Sequence, residues 1–179
     1  MKKSTLLTVL TSSLLFLSLS SKAIDNEYRI EVCALPLSEV VMDSVKGVVA
    51  AFNLQHMFVR GNDGSEVIGL NFQPENQMNV FGSKAIIVRH NYENATCAAI
   101  FATKDKALYD QKWNEITKAY DEAANKYQYN VLDKHCQTVT DEILANLGYQ
   151  IPEEICRLFD AQKNLQKGVN QALNGCKQQ

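Results

Sequence analysis

The hydrophobic period of this chain changes once, near residue 104, and that change dictates the order of its structure. Before it, apolar and polar residues alternate in short runs: Tyr28 to Leu37 (YRIEVCALPL), Ala51 to Arg60 (AFNLQHMFVR), Val67 to Phe72, Ser83 to Asn91 and Thr96 to Thr103. Such alternation predicts strands, because every second side chain falls on one face. Gly61-Asn62-Asp63-Gly64 is a tight-turn signal that joins the second and third runs as a hairpin. The stretch Ser38 to Ala50 has no single period, and Gln73 to Gly82, with Pro74, reads as a loop. After the change, Tyr109, Trp113, Ile116, Tyr120, Ala123 and Tyr127 recur at helical spacing, predicting a helix over Lys104 to Tyr127 with its aromatic stripe in the core. Asn130 to Asp133 reads as a short extended or turn segment. Cys136 to Leu147 predicts a second helix closed by Gly148; a third opens at Pro152 and runs to Asp160, and a fourth spans Asn164 to Leu173. Strands first and helices after make an α+β domain: an antiparallel sheet packed with segregated helices.

The start of the chain carries an export signal. Lys2 and Lys3 precede an uncharged apolar stretch from Leu6 to Leu19, and Ser21-Lys22-Ala23 places small residues at the −3 and −1 positions of a cleavage site. That stretch, about 14 residues, is short of the roughly 20 a spanning helix needs. Residues 1–23 therefore read as a cleavable signal peptide and residues 24–179 as a single periplasmic or secreted domain with no transmembrane segment. Cleavage removes three Lys and no acid, taking the formal charge from −2 to −5. A mildly acidic chain without a basic cluster argues against nucleic acid, or an anionic membrane surface, as its partner. Oligomeric state leaves no trace in the sequence.

All five cysteines, Cys33, Cys97, Cys136, Cys156 and Cys176, follow the signal peptide, so they enter a compartment where disulfides persist. Five is odd, so one at least is free or pairs between molecules. Cys33 and Cys97 lie in strand runs and can pair if those strands adjoin. Cys156 and Cys176 suit a bridge across two C-terminal helices. Other pairings satisfy the same arithmetic.

Cys136 stands where the second helix begins, after Asp133-Lys134-His135. A Cys in a first turn faces unpaired backbone N–H groups and the helix dipole, which favour its thiolate and suit a nucleophile; Asp141 would oppose this if close. The same position also suits a structural Cys. Alternation puts His56 with Leu54 and Phe58 on what should be the core-side face. The returning strand brings Asn71 or Gln73 beside it, able to accept a ring proton and fix the tautomer. His56 thus ranks first as a base, ahead of His135 and His90. No CxxC, HxH or HxxxH spacing is present, so neither a metal nor a cofactor is expected. Asn94-Ala95-Thr96 is a glycosylation sequon.

LQHMFV around His56, VIGLNF around Asn71 and YNVLDKHCQTVTDEIL around Cys136 resemble, in that order, the circularly permuted papain-like superfamily related to NlpC/P60 peptidases and lecithin:retinol acyltransferase. The resemblance spans Ala51 to Gly148. It implies a permuted papain-like cysteine hydrolase fold with Cys136 as nucleophile, His56 as base and Asn71 as the orienting group. One departure stands out: His135 precedes the Cys where members commonly carry Asn or Asp. The implied chemistry is acyl transfer. His56 takes the thiol proton, Cys136 attacks a carbonyl, the Cys136 or Gln137 N–H supports the oxyanion, and water releases the acyl group. In an exported protein the expected substrate is a peptide or a cell-wall amide. The alternatives are a lipid acyltransferase or lipase using the same pair, and a disulfide-stabilised binding module on an inactive scaffold.

Overall fold

The computed structural model describes residues 27–40 and 55–160. The expected signal peptide, the ambiguous stretch from residue 41, the expected fourth helix and Cys176 lie outside these residues. The described strands are β1 (Tyr28–Pro36), β2 (Gln55–Asn62), β3 (Val67–Pro74), β4 (Phe81–Arg89), β5 (Thr96–Thr103) and β6 (Gln128–Asn130). The helices are α1 (Lys106–Lys126), α2 (Cys136–Asn146) and α3 (Glu153–Leu158). The strands form one antiparallel sheet in the order β5-β1-β2-β3-β4-β6. The α+β class read from the sequence is the class observed. Among the described residues no helix is long and apolar enough to cross a membrane.

The sheet has two buried faces. One carries Ile30, Val32, Ala34, Met57, Val59, Leu70 and Phe72 and receives the helices. Onto it α1 lays Tyr109, Ile116, Tyr120 and Ala123, and α2 lays Val139, Ile143 and Leu144. Each such large side chain contributes roughly 1.5–3 kcal/mol by leaving water. Asp105 starts α1 by accepting the N–H groups of Ala107 and Leu108. Gly148, at φ +80°, follows the C-terminal turn of α2. The Tyr120 hydroxyl and Thr140 Oγ1, 2.7 Å apart, tie the two helices together.

The other face carries a smaller cluster of Cys33, Leu35 and Phe58, with Val40, Tyr92, Ala95 and Cys97 packed on it. It is covered because the chain from β4 to β5 must travel from one side of the meander to the far side of β1. Residues 90–95 make that journey across the sheet as a strap. His90 N–H donates to Gly69 O at 3.0 Å where the strap passes β3. A Cβ on Gly69 would be driven into the His90 carbonyl, so glycine is required for this close approach. Beyond the strap, β5 pairs with β1, and Cys33 faces Cys97 in that register and is bonded to it.

One expectation needs correcting. Gly61 lies inside β2 instead of in the turn, because the strand continues to Asn62 and Asp63 builds the bend by accepting the Ser65 and Glu66 N–H groups. Among the described residues Cys156 is a free thiol aimed at Ile151 O, and Cys176, its expected partner, lies outside them.

Candidate active site

His56 lies on β2 and Asn71 on β3, on the face beneath the strap. His56 Nε2 and Asn71 Oδ1 are 3.0 Å apart. Asn71 Nδ2 donates to Val88 O at 2.9 Å and to His90 O at 2.8 Å. With both amide protons committed to carbonyls, Oδ1 is the acceptor, so the imidazole carries its proton on Nε2. The expected pairing of His56 with Asn71 is present, and Asn71 fixes the tautomer. The ring is also packed on both sides: it stacks on Phe58 at 5.9 Å between centroids and meets Tyr92 edge-on at 6.1 Å. Gln73 Nε2 donates to the Tyr92 hydroxyl, holding that phenol over the cluster. Burial of the imidazole, only partly offset by Asn71, pulls its pKa down to about 4. His56 is therefore neutral at pH 7.

Cys136 opens α2, on the helix side of the sheet, and is free and buried. The β2–β3 ladder stops at the Val59–Leu70 pair, and the thiol meets the Met57 backbone just beyond it. Burial pushes the thiol up to about 11, against hydrogen bonds from the Met57, Gln137 and Cys136 backbones that draw it down; Asp141 adds to the rise. The helix-start effect expected from the sequence is thus present and outweighed by desolvation. Two phenols share this region. Tyr120 and Tyr129 are raised chiefly by burial and further by the proximity of Cys136. Gln137 Oε1 is buried without a hydrogen-bond partner among the described residues.

The three sequence-selected residues therefore separate into a pair and a single group. His56 and Asn71 stand together under the strap. Cys136 stands against Met57, whose side chain belongs to the helix-facing core, while its neighbour His56 points to the opposite face. No hydrogen bond joins Cys136 to His56 among the described residues. The face assigned to His56 from alternation is corrected accordingly: it is buried, but in the smaller cluster, away from the helices. His90 is exposed and sits edge-on to Tyr92, as expected of a strand-end residue. His135 is buried at the start of α2, its N–H donating to Thr138 Oγ1.

Sequence reasoning did not single out Tyr92 or Tyr129. Tyr120 was legible as core from its helical spacing, but nothing local marks Tyr92 as the cap of His56. The described residues hold no group of His, Cys, Asp and Glu arranged for a metal. No family model, no curated protein and no solved structure matches this chain.

Proposed function

We propose that this chain is an exported, disulfide-stabilised binding module on a papain-like scaffold that does not perform thiol catalysis. One observation carries the reading: the imidazole and the thiol are buried on opposite sides of β2, each with its own partners. A general base must stand within hydrogen-bonding reach of the proton it takes. Burial also favours the neutral form of each group, raising the thiol and lowering the imidazole. His56 and Asn71 then serve the strap, and Cys136 serves the packing of α2. The Cys33–Cys97 bridge fastens the strap's far end and suits an oxidising compartment.

The second reading is a thiol hydrolase acting on a peptide or cell-wall amide. The His56–Asn71 hydrogen bond favours it, since that is the orienting contact such a base requires. It further requires the imidazole to leave Phe58 and Tyr92 and cross to the helix side. The deciding experiment incubates the wild type and Cys136→Ala with peptides, peptidoglycan fragments and phospholipids, and reads product masses. The binding-module reading expects no thiol-dependent product from any of them. Release of an amide or ester product by the wild type alone would overturn it, and the bond broken would tell hydrolase from lipase.

A further inference from the structure

The β2–β3 hairpin closes against the first turns of α1 around a cleft of about 200 Å³. It is lined by Tyr109, Trp113 and Ile68 together with the acidic residues Asp63, Glu66 and Asp110. Gly61 is what allows the rings to lie on the strand. A Cβ there would come within 2.7 Å of the Tyr109 hydroxyl and 2.9 Å of the Trp113 ring. The lining contains three acids and no base. Glu66 makes no ion pair among the described residues.

The chain already places one cation at the rim. Lys106 Nζ is 2.5 Å from Asp110 Oδ1 and 3.9 Å from Asp63 Oδ2. The same ammonium lies 5.5 Å from the Tyr109 ring centroid and 5.8 Å from that of Tyr28. Aromatic faces and carboxylates act on it together, the combination that selects an ammonium from water. One ammonium against three carboxylates leaves these four groups with a net charge of −2. The cleft is smaller than the roughly 300 Å³ at which drug-sized pockets begin. It admits a slim aliphatic chain ending in a charge.

We infer that this cleft binds an alkylammonium group, carried either by a lysine side chain of a partner or by a small free amine. The inference supplies a ligand class for the binding-module reading and rests on that reading. It fails separately, because the thiol assay interrogates Cys136 and the titration below interrogates only the cleft.

Trp113 is the only tryptophan of the chain, so its fluorescence reports on this cleft directly. The probes are 1,5-diaminopentane and Nα-acetyl-lysine methylamide, with 1-pentanol as the uncharged control, titrated into the full mature chain. The expected result is a saturable change with at least one amine, none with 1-pentanol, and weakening as salt is raised. Tighter binding of the lysine derivative would assign the site to a protein-borne amine, and tighter binding of the diamine to a free one. The double variant Glu66→Gln with Asp110→Asn should bind at least ten-fold more weakly while keeping its circular dichroism spectrum. Lys106→Gln removes the resident competitor and should bind about two- to five-fold more tightly, the range for an exposed ion pair. The inference is overturned if neither amine gives a saturable change, if 1-pentanol matches them, or if the folded double variant binds as well as the wild type.

Discussion

Replacing His56 by Gln tests what the buried imidazole does. A Gln amide can still donate to Asn71 Oδ1, so the strap keeps its anchor, but the side chain no longer titrates. In the wild type the folded-state pKa is depressed from 6.5 to about 4. Between those values the unfolded chain binds the proton and the native chain does not, so stability rises with pH across that window. The contribution is complete above pH 6.5 and is lost as pH falls toward 4. Linkage over those two pKa values gives a loss of about 2 kcal/mol by pH 5 and about 3 kcal/mol by pH 4. At a urea slope of roughly 1–3 kcal/mol/M this moves the midpoint by about 1 M or more. The assay is urea unfolding of both proteins, with the disulfide intact, at several pH values from 7.5 to 4. Carboxylates and the other histidines act on both proteins alike, so the difference between the curves isolates residue 56. Parallel curves, with a constant offset at every pH, would refute the reasoning and put His56 in contact with water.

Three further outcomes follow from the packing. Gly69→Ala should push the strap off β3 and destabilise the fold by about 1–3 kcal/mol, measured by urea unfolding. Reducing Cys33–Cys97, which closes a loop of 64 residues, should cost about 4 kcal/mol by chain entropy, read as a lower unfolding midpoint in excess reductant. Tyr120→Phe leaves Thr140 without its partner in the helix interface and should cost about 1 kcal/mol, seen as a reduced Tm.

Most of the fold was legible because period and punctuation act locally. Thr96 to Thr103 is a strand with the bounds its alternation implied, and Tyr109, Ile116, Tyr120 and Ala123 are the buried stripe their spacing implied. Helix α2 starts at Cys136, as the polar segment before it suggested. The site was legible only in part. Asn71 was placed beside His56 by folding the hairpin, and that contact exists. The face was not readable. Alternation says that His56 and Phe58 share a side of β2, but not which side the helices occupy. A buried face is usually taken as the helix face, and here a strap of six residues buries the other one as well. The surroundings of Cys136 were unreadable for a related reason. A helix start favours a thiolate by a modest amount, whereas burial, which the sequence does not display, is the larger effect. Gly61 read as a turn glycine because Asn-Asp-Gly follows it; its actual service is to two aromatic rings from a helix far along the chain.

The central claim is that Cys136 and His56 do not form a catalytic pair. It is tested most directly by the pH dependence of Cys136 alkylation. Native protein carrying Cys156→Ser and Cys176→Ser is treated with iodoacetamide, and modification at Cys136 is followed by peptide mass. The account predicts slow alkylation that keeps rising beyond pH 9, in keeping with a thiol held near 11, and the same profile when His56 is replaced by Gln. Fast alkylation that levels off near neutral pH, and loses that plateau in His56→Gln, would reveal a thiolate held by an imidazolium and contradict the account.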